Sequence, residues 1–241
     1  MAAAERLPYP PAPRGDVVDD YFGAKVPDPY RWLEDVDAPQ TQAWVAAQGA
    51  LTRSYLDAIP QRAHIRARLQ ELYSYERVNI PFRVGTWYVY TRNSGLQNQS
   101  VLYIASSPTA TGRVLLDPNT LSKDGTVALG STNFTLDGKY LAYSTHDAGS
   151  DWETWHVREV ASGKDLPDRL QWSKFGSASW RTDNSGFFYE RYDAPLKDAL
   201  KAMFKHHKIY FHQLGTPQEQ DVLVYHRPDQ PDWFVGANVT E

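Results

Sequence analysis

The sequence predicts a mainly β fold preceded by an α-helical N-terminal segment. Two observations along the chain predict it: the hydrophobic period changes near residue 75, and short aromatic runs then alternate with turn residues. Composition agrees, because 41% hydrophobic and 22% charged residues are typical of globular proteins. An aromatic content of 13%, with 15 Gly and 16 Pro, favours strands joined by many turns.

Residues 1–74 form the predicted helical segment. Apolar and amide side chains recur there at three- and four-residue steps, at Trp44, Val45, Gln48, Leu51, Tyr55 and Ile59. Pro60 suits the start of a second helix, because its fixed φ is compatible with the first helical turn. That helix carries an apolar stripe at Ile65, Leu69, Leu72 and Tyr73. We therefore expect a pair of amphipathic helices.

From residue 75 onward the pattern predicts antiparallel strands. Short apolar runs bounded by Gly, Asn, Asp and Ser occur at Trp87–Tyr90, Val101–Ile104, Val114–Leu116 and Tyr140–Tyr143. None of these runs is followed by an amphipathic stretch of helix length, which argues against a parallel sheet with crossover helices.

The strand region also repeats. Phe134–Tyr143 aligns with Trp180–Tyr189, each with an aromatic residue, an Asp-Gly or Asp-Asn turn pair and then an aromatic strand. A period of about 40–60 residues with four strands per unit is typical of a β-propeller. The units fall at about 75–125, 126–175 and 176–232, with a further one starting at 233. Three blades and the start of a fourth cannot close a ring, so we expect the protein to continue beyond Glu241.

Charge and composition exclude several functions. With 25 basic and 29 acidic residues, the net charge is 25 − 29 = −4, so a nucleic-acid partner is not expected. We expect no membrane span, because no run approaches the roughly 20 apolar residues that one needs. The absence of cysteine excludes disulfides, thiol catalysis and thiolate metal centres from this chain. We expect neither a cofactor nor a bound metal.

Catalytic motifs are missing, including the Gly-x-Ser-x-Gly nucleophile elbow. His206, His207 and His212 invite a metal interpretation, since His206 and His212 share strand parity. No carboxylate lies between them on 208–211, so we predict surface or turn positions for these histidines.

Five further residues have two possible roles. Asp151 lies in a loop, where it either caps a turn or lines the cavity at one end of a propeller. Four aromatic residues are expected in the blade core, with pocket lining as the alternative: Phe175, Trp180, Trp233 and Phe234.

One segment, Asp28–Asp35, resembles the prolyl oligopeptidase family of serine peptidases. Further segments resemble the family in the same order along the chain, at Thr41–Val45, Gly95–Gln99, Leu116–Asn119, Asp124–Leu129, Gly149–Trp152, Lys174–Phe175 and Asp232–Trp233. Two positions depart from the family pattern: Phe22, where His is frequent, and Gly49, where Asn is common. Both departures concern local packing only.

The resemblance implies a seven-bladed propeller that caps an α/β-hydrolase domain. The family cleaves short peptides after proline with a Ser-Asp-His triad, which we expect beyond Glu241. The expected partners are therefore short proline-containing peptides and the protein's own hydrolase domain, on which the helical segment would pack. The resemblance also implies a cytoplasmic protein, and the 241-residue chain alone is expected to be inactive and to fold poorly.

The resemblance also assigns three candidate cavity residues. Phe175 corresponds to an aromatic residue near the positions that flank the substrate proline. Phe234 occupies a position that is commonly Met, so its ring would narrow the pocket. Asp151 corresponds to an acidic residue that faces the catalytic domain and could pair with a cation.

Two alternatives use other features of the chain. A standalone β-repeat interaction scaffold would need to cover its open sheet edge, for example by oligomerising. A propeller glycosidase would need paired carboxylates across the central channel, and the sequence offers no convincing pair.

Overall fold

The computed structural model describes residues 7–147, 149–195 and 204–240. The chain divides into two compact units, Met1–Leu72 and Tyr73–Glu241. Parts of four predicted segments lie outside the described residues: 1–6 of the helical segment, Ala148 of the second blade, 196–203 of the third and Glu241 of the fourth. Among the described residues, no helix is long and apolar enough to cross a membrane.

The first unit contains a β-hairpin that the sequence pattern does not predict. Strands β1 (Val18–Tyr21) and β2 (Ala24–Pro27) are antiparallel. Their turn places Phe22 at φ 55° and Gly23 at φ 92°, as a tight two-residue hairpin turn requires. Phe22 is fully exposed, so its departure from the family pattern disturbs no packing within this unit.

A short 3-10 helix (Arg31–Glu34) and, as predicted, two α-helices complete the described part of the first unit. Helix α1 (Pro39–Asp57) starts with proline in its first turn, and α2 (Arg62–Tyr73) follows after a short connection. A Cβ at Gly49 would meet the Arg53 guanidinium at 3.8 Å, which is ordinary contact. No residue of α2 is buried, so its apolar stripe is exposed within this unit.

Among its described residues, the second unit has three antiparallel sheets of consecutive strands, which confirms the mainly β prediction with about three blades. In the first sheet β4 pairs with β5, and the order of the others is β3-β5-β6-β7. The second and third sheets have the orders β11-β10-β9-β8 and β12-β13-β14-β15. The strands are β3 (Arg77–Val78), β4 (Phe82–Val84), β5 (Trp87–Asn93), β6 (Val101–Ala105), β7 (Arg113–Leu116), β8 (Ala128–Phe134), β9 (Tyr140–His146), β10 (Glu153–Glu159), β11 (Lys164–Ser173), β12 (Ala178–Trp180), β13 (Gly186–Arg191), β14 (Lys208–Gln213) and β15 (Val222–His226).

The predicted repeat corresponds to equivalent turns in neighbouring sheets. Gly138, between β8 and β9, has φ 73°, and Asn184, between β12 and β13, has φ 59°. The Asn184 amide donates a hydrogen bond of 2.7 Å to Asp137 of the preceding turn. The turn pairs therefore repeat in conformation and also contact each other, which links the second sheet to the third.

The core lies between the sheets and is built from their aromatic and branched side chains. Val89, Leu102 and Ile104 of the first sheet pack against Leu141 and Tyr143 of the second. The opposite face of the second sheet packs on the third through Trp155, Val157, Leu170, Trp180, Phe187 and Tyr189. The alternating side chains of the second sheet thus fill two separate interfaces.

His212 is not the surface residue that the sequence predicts. It is fully buried on β14, with Nδ1 2.7 Å from an Asp221 oxygen and Nε2 2.9 Å from an Asp168 oxygen. Burial alone lowers the pKa of His212, but the hydrogen bonds to both carboxylates outweigh burial and raise that pKa to about 9. The prediction was wrong because Asp168 comes from the neighbouring sheet. His206 has φ 61° and is exposed, as expected of a turn residue.

Candidate functional site

The three predicted cavity residues lie at the same end of the second and third sheets. Connections in such antiparallel sheets alternate between the two ends. The connections that follow β9, β11, β13 and β15 therefore share one end, which we call the loop end. Its described residues are 147, 149–152, 174–177, 192–195, 204–207 and 227–240. Asp151, Phe175 and Phe234 belong to three of these four connections.

A series of contacts between aromatic rings joins the connections at the loop end. The ring centroids of Trp152 and Tyr192 are 6.1 Å apart, those of Tyr192 and His207 are 4.7 Å apart, and those of His207 and Phe234 are 5.4 Å apart. Trp152 also contacts Phe204 edge-on at 6.5 Å. Aromatic pairs at these distances add attraction beyond their buried area. The loops thus form a packed aromatic cluster.

Phe175 and Phe234 project from this end and are not part of the blade core. Phe175 is 64% exposed and Phe234 63% exposed, whereas Trp180 is 8% exposed. Trp233 is half exposed. The blade-core interpretation therefore holds for Trp180 only. Phe175 also has φ 53°, a conformation that is unfavourable for a residue with a Cβ.

Lys174, immediately before Phe175, is a buried cation that the sequence analysis did not single out. Its Nζ lies 4.2 Å from the ring centroid of Trp152 and 3.6 Å from that of Phe204. Burial lowers the pKa of Lys174, and the negative charge of exposed Asp151 partly offsets this effect. Asp151 and the aromatic faces together stabilise the ammonium group at the base of the Phe175 loop.

Two buried carboxylates also face this loop. Glu153 and Glu190 are each 4% exposed, and burial raises the pKa of both. The charge of His146, whose Nε2 lies 3.8 Å from Oε1 of Glu153, and the nearby backbone N–H of Phe175 partly offset the effect of burial on the pKa of Glu153. The other Glu153 oxygen, Oε2, has no hydrogen-bond partner among the described residues.

His207 contacts the segment that carries Phe234 and holds it in place. It is buried rather than at the surface position that the sequence predicts, because it stacks on Tyr192, and its Nδ1 accepts a hydrogen bond of 3.1 Å from the Val235 backbone N–H. Burial lowers the pKa of His207 to about 4, so the imidazole is neutral near pH 7. A neutral ring whose Nδ1 accepts carries its hydrogen on Nε2. His207 is therefore a packing and positioning group rather than a cation.

A cavity of about 690 Å³ lies along one strand of each of the three sheets. It is lined by Phe82–Gly85 around β4, Thr132–Leu136 around β8, Ala178–Thr182 around β12, and Val239–Thr240. The described lining does not include Asp151, Phe175 or Phe234. The candidate site is therefore the exposed surface of the loop end, distinct from this inner cavity.

Comparison with known proteins identifies the architecture. Residues 10–241 match the family model described as the prolyl oligopeptidase N-terminal β-propeller domain. The chain belongs to the prolyl oligopeptidase family. A prolyl endopeptidase from Elizabethkingia meningoseptica is 41% identical over 236 residues, which cover 98% of this chain and 33% of that protein. Prolyl oligopeptidase A from Amanita bisporigera is 36% identical over 97% of this chain and 35% of its own length.

Solved structures of prolyl oligopeptidases have the same fold. Prolyl oligopeptidase B from Galerina marginata, bound to a 25mer macrocyclization substrate, superposes with a TM-score of 0.85 at 31% identity. That match covers 97% of this chain and 36% of the other. The chain thus spans about a third of the length of the relatives it matches.

Within this prolyl oligopeptidase propeller, sequence reasoning missed the groups that hold the loops. Lys174, Glu153 and Glu190 carry charges, and charged residues are ordinarily exposed. One signal was available for Lys174, because it belongs to the Lys174–Phe175 pair that resembles the family. Nothing in the local pattern around Glu153 or Glu190 distinguishes them from solvated strand residues.

Proposed function

We propose that this chain is the N-terminal helical segment and the first blades of a serine peptidase that cleaves short peptides after proline. In this proposal the Ser-Asp-His triad and its oxyanion hole lie in an α/β-hydrolase portion beyond Glu241. The observation that carries the proposal is the family match over residues 10–241. The relatives it matches are themselves prolyl endopeptidases and oligopeptidases.

Phe175, Phe234 and Asp151 would line the substrate cavity at the loop end. Support comes from the exposure of both phenylalanine rings beside a cluster that is otherwise packed. Covering one such ring with a peptide side chain contributes about 1.5–3 kcal/mol. Asp151 adds a negative charge to the same end, which favours a cationic group on the substrate or on the catalytic portion.

The propeller would also limit which substrates reach the triad. In this proposal the blades enclose the cavity, so a short flexible peptide enters and a folded protein is excluded. In support of this separation of tasks, the chain contains no nucleophile elbow, so the proposal leaves binding to the propeller and the reaction to the hydrolase portion. A cytoplasmic location belongs to the same proposal.

The full-length protein that carries this chain tests the function directly. A fluorogenic peptide ending in Gly-Pro-amidocoumarin should be hydrolysed, and the matched Gly-Ala peptide should react at least tenfold more slowly. A serine-reactive fluorophosphonate should abolish both reactions. A full-length protein that folds but cleaves neither peptide would contradict the proposal and favour a binding scaffold.

Gating has its own test with the same enzyme. A proline-containing peptide of about ten residues should be cleaved, and the same sequence placed inside a folded carrier domain should stay intact. Cleavage should return when the carrier is unfolded, because the gate depends on the bulk of a folded domain. If the carrier sequence itself blocked cleavage, unfolding would not restore it. Equal rates on the free peptide and the folded carrier would refute gating.

A further inference from the structure

Glu190 lies at the end of β13 with its side chain buried beneath the loop end. Its carboxylate uses both oxygens: Oε2 accepts from the Ser177 backbone N–H at 2.8 Å, and Oε1 accepts from the Ala237 backbone N–H at 3.2 Å. The Glu190 backbone carbonyl also accepts from the Ser173 hydroxyl at 2.6 Å. Hydrogen bonds to a charged acceptor are among the stronger ones in proteins.

The two N–H groups belong to the two segments that carry the exposed phenylalanines. Ser177 follows Phe175 by two residues, and Ala237 follows Phe234 by three residues. The Ser173 hydroxyl holds the other side of the Phe175 loop. One side chain therefore connects two segments that are about 60 residues apart in sequence.

A glycine precedes each donor and lets the backbone approach the carboxylate. A Cβ at Gly176 would lie 3.0 Å from Oε2 of Glu190, and a Cβ at Gly236 would lie 3.3 Å from Oε1. Both distances are tighter than ordinary carbon–oxygen contact. The same arrangement, Gly followed by a donating N–H, thus occurs on both sides of one carboxylate.

We propose that Glu190 is a positioning residue that sets the separation of Phe175 and Phe234, and thereby the width of the peptide pocket between them. The inference rests on the proposed function, because it needs both rings to contact substrate. Glu190 itself touches no substrate in this account. Its effect is carried entirely by the two backbone hydrogen bonds.

The variant Glu190→Gln tests the inference in the full-length protein. Glutamine has nearly the same shape, but its NH₂ group is a donor and cannot accept from one of the two N–H groups. We expect the KM for a proline peptide to rise by about five- to tenfold with kcat changed less than twofold, as for lost binding without lost chemistry. Glu159→Gln is the matched control, because Glu159 is the last residue of β10 and lies beside the β10–β11 turn, at the opposite end of the second sheet from the loop end.

A double-mutant cycle separates positioning from a general structural role. In the background of Phe175→Ala with Phe234→Ala, Glu190→Gln should raise KM by less than twofold further, because the rings that it positions are gone. The full five- to tenfold effect in that background would overturn the inference. A Glu190→Gln enzyme with unchanged KM would also overturn it.

The same set of variants distinguishes failure of the inference from failure of the proposed site. If the two phenylalanine variants leave KM unchanged, both the cavity assignment and the inference fail. If those variants raise KM and Glu190→Gln does not, only the inference fails. Should Glu190→Gln not fold, Glu190→Asp keeps the charge, shortens the reach by one methylene, and is subject to the same criteria.

Discussion

Raising the pH from 6 to 10 should weaken the interface between the second and third sheets, because His212 then loses its proton. His212 is fully buried between Asp168 of the second sheet and Asp221 of the third. Its raised pKa means that the charged form is favoured by folding. This contribution to the free energy of unfolding is fully present below pH 6.5 and is lost as the pH rises to about 9.

The magnitude follows from the two pKa values. The pKa of His212 rises from 6.5 to about 9, and each tenfold change in a binding constant corresponds to about 1.4 kcal/mol. The difference is about 3 kcal/mol of stability at low pH. Because a domain of this kind is stable by about 5–15 kcal/mol, such a loss is readily measurable.

The assay is urea unfolding of the full-length protein at pH 6, 8 and 10, followed by hydrogen exchange in peptides that contain β14 and β15. Exchange reports the third sheet separately, which matters because a multidomain protein need not unfold in one step. His212→Gln removes the titrating group. His206→Gln, an exposed histidine on the preceding turn, is the matched control.

We expect the third sheet to lose about 3 kcal/mol between pH 6 and pH 10 in the wild-type and His206→Gln proteins. The His212→Gln protein should be less stable at pH 6 and should lose less than 1 kcal/mol over the same range. An equal pH dependence in all three proteins would refute the assignment of the effect to His212.

Three further predictions follow from single positions. Asp168→Asn should cost about 2–4 kcal/mol of stability, because it leaves buried His212 with one charged partner; a urea midpoint within 0.3 M of wild type would contradict this. Gly85→Ala should lower Tm by several degrees more than Gly149→Ala, since both have positive φ but only at Gly85 would a Cβ overlap the Asp137 carbonyl. Phe234→Met should raise kcat/KM for peptides with a bulky residue beside proline relative to a small one, by about three- to tenfold if the ring narrows the pocket; an unchanged ratio would argue against that role.

The strands could be predicted because their pattern is local. Tyr140–Tyr143 is a short apolar run with its own bounding turn, and the Asp137-Gly138 pair fixes the hairpin through the positive φ of Gly138. The repeat then followed from comparing short segments. The β1–β2 hairpin was not predicted because Val18–Tyr21 contains two aspartates and its apolar and polar residues do not alternate.

The buried charged groups that link the sheets or support the candidate site could not be predicted in the same way. Asp168 precedes His212 by 44 residues and reaches it only because two sheets pack face to face. Glu190 follows the aromatic run of β13, where a solvated charge is equally common. Its two hydrogen-bond donors come from loops that are distant in sequence and meet it only in the folded protein. Long-range juxtaposition of charged groups is a property of the packed sheets and not of any local pattern.

Photochemical crosslinking tests the central claim, that the loop end binds proline-containing peptides, most directly. A short proline peptide with a benzophenone beside the proline would be irradiated with the full-length protein, and the labelled fragments would be identified by mass spectrometry. Within the propeller unit, we expect labelling at residues 174–177 and 233–237, and we expect excess unlabelled peptide to suppress it. Competable labels on the propeller unit that all fall outside the loop end would contradict it.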